Sequence, residues 1–159
     1  MRKYWIILMI LISQSAFAIN INSLFWEFKE ERKAEYVRIP RFLIWVGKCF
    51  SDDKEDKEIL GKISSIKVLS LEDCNENVKK RFSKRVSHLN DDNYDILMKV
   101  KENDQLVTVM TKQKKNTIKE LVIVCGGDDC ALISIKGNFD EKDISLLVEQ
   151  ETSKRHGRK

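Results

Sequence analysis

Four cysteines are the residues of this chain best suited to chemistry. Cys125 and Cys130 flank Gly126-Gly127-Asp128-Asp129, a flexible, turn-forming run between two strand-like segments. If those strands pair across the turn, the two thiols face each other at bridging distance, and we expect a disulfide between them. Two free thiols, or a metal site using Asp128 or Asp129, are the alternatives. The metal alternative is the weaker one because no second cysteine pair or histidine lies nearby.

Cys49 and Cys74 could form a second bridge. Cys74, however, falls on the apolar face of a predicted helix, where a buried thiol that takes no part in chemistry is common. The sequence leaves this pairing open.

The usual residue patterns of enzymes are absent from the sequence. His88 lies beside the basic face of a predicted helix and His156 lies in a basic tail, so neither is well placed to act as a catalytic base. The sequence contains no G-x-S-x-G elbow, phosphate-binding loop or dinucleotide fingerprint. We therefore predict a non-enzymatic protein without cofactor or metal. The alternative is a thiol- or metal-dependent envelope enzyme that uses Cys125 and Cys130 with the adjacent carboxylates.

The amino terminus has the order of a bacterial export signal. Met1-Arg2-Lys3 is followed by an apolar block from Tyr4 to Ile12 and then by small residues that include Ala16 and Ala18. A membrane-spanning helix needs about 20 apolar residues, and this block is much shorter. We expect residues 1–18 to be a signal peptide cleaved after Ala18, which places the mature chain in the periplasm or outside the cell, where thiols are usually oxidised.

The remaining residues suit one domain, residues 19–151, with a disordered basic tail at 152–159. Leaving out Arg2, Lys3 and the four basic residues of the tail reduces the 29 basic residues to 23, against 25 acidic ones, a net charge of −2. This balance argues against nucleic acid as a partner. We also expect no transmembrane segment in the mature chain.

Alternating apolar and polar residues predict a sheet in the second half of the chain. Four strand candidates follow one another through short turns: Tyr94–Lys101, Gln105–Lys112, Ile118–Cys125 and Cys130–Lys136. Before them, Ser70-Leu71-Glu72-Asp73 resembles a capping box. The amphipathic helix that it opens has an apolar stripe at intervals of three and four: Leu71, Cys74, Val78, Phe82, Val86 and Leu89.

The first half predicts shorter elements. They are a helix over Ser23–Arg32, strands over Glu35–Ile39 and Lys62–Leu69, a helix over Pro40–Cys49 and a charged loop over Ser51–Glu58. After the meander, Asp140 is placed to cap a last helix whose apolar side includes Ile144 and Leu147. The resulting fold class is α+β, a mainly antiparallel sheet of about six strands with helices packed on one face.

The helix over Pro40–Cys49 has more apolar residues than one buried face can hold, because residues 42–46 are consecutive large hydrophobic residues. If Phe42, Trp45 and Val46 stay exposed, they form an interaction patch. Such a patch favours an envelope protein, a second copy of the chain or a small apolar ligand such as an acyl chain. The alternative is a helix enclosed between the sheet and the first helix.

Segments of this sequence resemble a known family. The stretches at residues 61–69, 94–101, 118–122 and 135–139 are similar to the family described as domain of unknown function 4252, small exported proteins of diderm bacteria, many of them lipoproteins. The resemblance implies location and architecture but no activity and no catalytic residues. It also implies an accessory role in cell-envelope signalling. This chain departs from the family pattern because it lacks the lipid-acceptor cysteine and carries Cys125 and Cys130.

Overall fold

The computed structural model of the protein describes residues 20–50, 54–89, 91–103, 105–140 and 142–143. The predicted signal peptide at 1–18 and the predicted tail at 152–159 lie outside them. The helices are α1 (Ile21–Phe28), α2 (Arg41–Phe50), α3 (Lys54–Lys62) and α4 (Glu76–Ser87). The strands are β1 (Glu35–Pro40), β2 (Ile63–Ser70), β3 (Asp95–Glu102), β4 (Gln105–Lys114), β5 (Thr117–Gly126) and β6 (Ala131–Phe139).

The six strands form a single sheet in the order β1-β2-β6-β5-β4-β3, and every neighbouring pair is antiparallel. The predicted α+β class and the number of strands are confirmed. Strands β3 to β6 form the expected meander, and β2 joins it through β6. Strands β1 and β3 are the edges, and Pro40 is tolerated in β1 because an edge strand need not donate a hydrogen bond on both sides.

Helices α1 and α4 contribute to the main core on one face of the sheet, here called the helix face. Apolar residues of both helices pack there with alternate residues of the strands, among them Leu69, Val122 and Leu132. The Phe28 and Phe82 rings join the two helices edge to face, with centroids 5.2 Å apart. Because residues alternate along a strand, the residues between these belong to the opposite face, here called the open face.

Helices α2 and α3 belong to the open face, at one end of it. Ile44 of α2 and Ile59 of α3 form a second core cluster with Ile63, Ile118 and Phe139. The sequence predicted helices on one face only, and the structure differs in this respect. The reason is the chain path: α2 follows β1 directly, and its buried residue Ile44 meets open-face residues at the ends of the strands.

Two boundaries predicted from the sequence were wrong. Most of the charged stretch predicted as a loop over Ser51–Glu58 belongs to α3, whose Glu, Lys and Leu residues are good helix formers and which is anchored by the buried Ile59. The long helix begins at Glu76 instead of at the expected capping box. Its N-cap is Asn75, whose side chain accepts a hydrogen bond from the backbone N–H of Val78.

The expected cap after β6 is present. Asp140 Oδ1 accepts from the Asp143 N–H at 3.0 Å, and Asp143 Oδ2 accepts from the Asp140 N–H at 2.8 Å. Residues 142 and 143 are helical. The rest of the predicted last helix, including Ile144 and Leu147, lies outside the described residues.

Candidate interaction surface

Helix α2 places large apolar side chains in water. Phe42 and Trp45 are each 65% exposed, Leu43 is 48% exposed and Val46 is 40% exposed, whereas Ile44 between them is 5% exposed. We call Phe42, Leu43, Trp45 and Val46 the α2 stripe. The alternative in which this helix is enclosed between the sheet and the first helix is therefore wrong, and the three residues of the predicted patch are exposed.

The geometry of a helix explains this exposure. Successive residues turn by about 100°, so Phe42 and Val46 lie on nearly the opposite side of α2 from Ile44. Ile44 faces the second core cluster. Phe42 and Val46 therefore point away from the chain's own sheet.

A second apolar surface crosses the open face beside α2. The strand registers align one residue from each strand in a continuous row, which we call the open row: Met98, Val109, Ile123, Ile133, Val68 and Val37. Met98 is 48% exposed and Val37 is 51% exposed at the two sheet edges, and the four residues between them are half-buried. All six side chains are apolar and uncharged.

The rows on either side of the open row differ from each other. Toward α2 and α3, the next row includes Ile39, Ile66 and Ile135, which pack against the second core cluster. Toward the other end, the next row is apolar at Val100, Val107, Cys125 and Ala131 and ends in Ser70 and Glu35. The apolar part of the open face therefore continues beyond the end that α2 and α3 contact.

The predicted disulfide between Cys125 and Cys130 is not formed, and the register of the hairpin explains why. Cys125 lies opposite Ala131, so its side chain belongs to the open face. Cys130, one residue before Ala131, belongs to the main core on the helix face and is fully buried. Its thiol donates to the Gly127 carbonyl at 2.9 Å, and burial raises the pKa of this thiol.

The second possible bridge is not formed either. Cys49 is exposed on α2, whereas Cys74 is buried in the main core, where its thiol donates to the Arg32 carbonyl at 3.5 Å. Burial raises the pKa of the Cys74 thiol. The two residues are thus associated with opposite faces of the sheet.

The register also weakens the thiol- or metal-enzyme alternative, which needs Cys125 and Cys130 side by side. Asp128 and Asp129 are exposed in the turn between the two cysteines. Among the described residues, no group of three or more His, Cys, Asp or Glu side chains is placed to hold a metal ion. The structure does not bring together the residues that this alternative requires.

A buried carboxylate that the sequence analysis missed lies on the helix face. Glu120 is 6% exposed and accepts hydrogen bonds from the Tyr94 hydroxyl at 2.9 Å and from the Ser134 hydroxyl at 2.5 Å. Burial, and then the charge of Glu120, raise the pKa of the Tyr94 hydroxyl. The sequence held a signal for this residue. Side chains two residues apart in a strand lie on the same face, so Glu120 could have been placed on the same face as the apolar Val122 and Val124.

This network is closed by partners from within the chain. The Lys136 ammonium lies 3.8 Å from the carboxylate, so both oxygens of Glu120 have neighbours. A buried acceptor that is satisfied in this way stabilises the strands that supply its donors. We assign the network to the attachment of Tyr94, the residue just before edge strand β3.

A groove of about 500 Å³ lies between α1 and α4 and is lined by Glu27, Arg81, Lys84, Arg85 and His88. Arg85 donates to Glu27 of α1 at 2.6 Å, and Arg81 donates to Glu31, which lies three residues after the end of α1. Two of the cations are thus paired with acidic residues. His88 is exposed, as the sequence predicted.

These features define the class of the protein: a small α+β domain with an exposed aromatic and aliphatic cluster on α2, beside an apolar sheet face. Residues 28–147 match the model of the family described as domain of unknown function 4252, and the chain belongs to this family. No match to the chain was found among curated proteins or among solved structures. None of the described helices is both long enough and apolar enough to cross a membrane.

Proposed function

We propose that this chain is an exported, non-enzymatic interaction module that binds its partner through the α2 stripe. The observation that carries the proposal is the exposure of Phe42 and Trp45, each 65%, on a helix that is held to its own domain by Ile44 in a core cluster. A helix needs only one apolar side to pack on its own sheet. The second apolar side of α2 is therefore free to serve another molecule.

The size of the stripe supports binding over chance exposure. Aromatic side chains bury about 150–250 Å² each, so the exposed parts of the four stripe residues amount to about 400 Å². The largest apolar patch of a typical monomer is about 300–600 Å² and is often functional. Single exposed apolar residues are ordinary, but four on one ten-residue helix form a patch of that size.

Export is part of the proposal and is supported by the order of residues at the amino terminus. The charged start, the short apolar block and Ala16-Phe17-Ala18 together have the pattern of a cleaved signal. The partner would then be met in the cell envelope, and membership of the family is compatible with an accessory part in envelope signalling. Purification of the exported protein and determination of its first residue test this step, with Ile19 expected.

The chain offers a matched control for the binding step. Trp26 on α1 is 70% exposed, slightly more than Trp45, but it lies on the helix that packs on the opposite face, with the Lys29 ammonium 3.7 Å from its ring centroid. We therefore compare Trp45→Ala with Trp26→Ala in the full-length, exported protein. Proximity labelling in the envelope and urea unfolding are measured for both variants.

The proposal expects both variants to fold with nearly the parent stability, because both side chains are exposed. Trp45→Ala should lose the labelled neighbours that the parent and Trp26→Ala retain. Identical labelling patterns for all three proteins would refute the assignment of the α2 stripe. Unfolding of Trp45→Ala alone would show instead that Trp45 serves the domain's own core.

A further inference from the structure

We infer that the partner of the α2 stripe is a second copy of this chain, and that α2 of each copy lies on the open row of the other. This inference rests on the proposed function, since it names the occupant of the same surface. It joins two observations that the proposed function leaves separate, namely the outward α2 stripe and the half-exposed row beside it. Area, shape and charge each support it.

The area argument requires both surfaces. A stable interface buries about 800 Å² on each partner, and the α2 stripe supplies about half of that. Strands lie about 4.8 Å apart and residues of one face repeat about every 6.8 Å, so the open row on six strands and the four apolar positions of its outer neighbour cover about 330 Å². Stripe and rows together reach the size that a stable dimer needs.

The shape of the open face is self-complementary. Helix α2 contacts β1 and β2 and stands above one end of the sheet as a ridge about 10 Å across. The open row lies beside it as the lower part of the same face. In a dimer with two-fold symmetry, α2 of each copy can therefore pack on the open row of the other copy. Because Phe42 and Val46 point away from their own sheet, they would contact the partner's row.

Charge imposes no penalty on this arrangement. In a symmetric dimer the same patch occurs on both partners, so charged groups near the axis would meet their own kind. The open row has no charged member. Residues 41–50 include Arg41 and Lys48 but no acidic residue, and the outer neighbour of the open row ends in the acidic Glu35. The open row therefore adds no buried charge, and the basic residues of the ridge are opposite in sign to Glu35 at the end of the outer row.

The test is the oligomeric state of the full-length, exported protein, measured by sedimentation equilibrium. One variant alters the ridge, Trp45→Ala, and one alters the row at an exposed edge position, Val37→Lys. Each has a matched control that lies outside both surfaces. Trp26→Ala controls the ridge, and Ile96→Lys controls the row, because Ile96 is 57% exposed on an edge strand but lies opposite Met110 of the helix-face core.

We expect a dimer whose dissociation constant rises at least tenfold in both surface variants and less than threefold in both controls. Urea unfolding of each monomer checks that the variants fold. A dimer that is weakened by Trp45→Ala but not by Val37→Lys would overturn the seating of α2 on the open row. A monomer at all concentrations up to about 100 μM would overturn the inference.

A further variant identifies a competing occupant. If the full-length protein is monomeric but dimerises after residues 144–159 are removed, the row belongs to the chain's own carboxyl-terminal segment and the inference fails. The proposed function is judged separately by the labelling experiment. Trp45-dependent labelling of other proteins by a monomeric chain would leave that proposal standing and remove only the second copy.

Discussion

Two glycines should respond in opposite directions to the same substitution, and the comparison tests the packing at the junction of α3, β2 and β6. A Cβ added to Gly137 would lie 2.5 Å from the Lys62 carbonyl oxygen and 2.5 Å from Cζ of Phe139. Ordinary van der Waals contacts of a Cβ begin near 3.4 Å. A Cβ added to Gly47 in α2 meets nothing within 4 Å.

Neither obstacle at Gly137 can move freely. The oxygen of Lys62 belongs to the backbone where α3 passes into β2, and the Phe139 ring is 1% exposed in the second core cluster. Overpacking of this kind costs about 1–3 kcal/mol. At Gly47 the expected change is a gain of about 0.5–1 kcal/mol, because alanine restricts the unfolded chain and is the better helix former.

Urea unfolding followed by circular dichroism measures both effects. With a slope of about 1–3 kcal/mol per molar urea, Gly137→Ala should lower the midpoint by about 1 M and Gly47→Ala should raise it slightly. Gly47→Ala also controls for a general effect of glycine replacement. A Gly137→Ala variant as stable as the parent would refute the close approach of β6 to the α3–β2 junction.

Three further predictions concern the core, the buried carboxylate and the thiols. Phe82→Ala should cost about 3–5 kcal/mol in urea unfolding, because it empties a fully buried site and removes the ring contact with Phe28. The raised pKa of Tyr94 stabilises the fold below the tyrosine pKa of the unfolded chain, about 10, and this contribution is lost as the pH rises above it. Stability measured from pH 8 to 11.5 should therefore fall less steeply in Tyr94→Phe than in the parent. Peptide mapping of non-reduced protein should find no Cys125–Cys130 bridge, and iodoacetamide should modify Cys49 in the folded protein but Cys130 only after unfolding.

The sheet was predictable because its local patterns agree with its tertiary packing. In β5, for example, Val122 and Val124 alternate with Leu121 and Ile123, and tight turns join consecutive strands, so pairing of neighbours in sequence follows. The strand order β1-β2-β6 was harder to predict from the sequence, because it depends on contacts between residues far apart in the chain. The α+β class could therefore be predicted, while the position of β1 and β2 beside β6 could not.

The predicted helix boundaries were wrong where a polar stretch fitted more than one kind of local structure. Lys54–Lys62 is rich in charge, which is typical of a loop, but the same residues form helices readily when Ile59 finds a core to pack against. Serine and asparagine are both favoured N-caps, and the structure uses Asn75 in place of the predicted Ser70. In this case Leu71 and Cys74 are buried before the helix begins, so their apolar spacing matched a helix without being part of one.

The predicted Cys125–Cys130 disulfide was wrong because the two strands pair with Ala131, not Cys130, opposite Cys125. Two cysteines that flank a four-residue turn bridge only if they occupy directly opposite positions, and here Ala131 takes the position opposite Cys125. A shift of one residue moves a side chain to the other face of a sheet. The sequence could locate the hairpin, but it could not fix which of two adjacent residues would be paired.

The α2 stripe, in contrast, could be recognised from the sequence because an excess of apolar residues does not depend on register. No orientation of a helix can bury residues 42–46 on one side, so some of them had to face away from the sheet. What the sequence could not supply was the open row, which exists only because six strands align one apolar residue each. The proposed dimer depends on the combination of the two surfaces. The proposed interface could therefore be identified only from the tertiary structure, because the sequence does not show which strand residues align in one row.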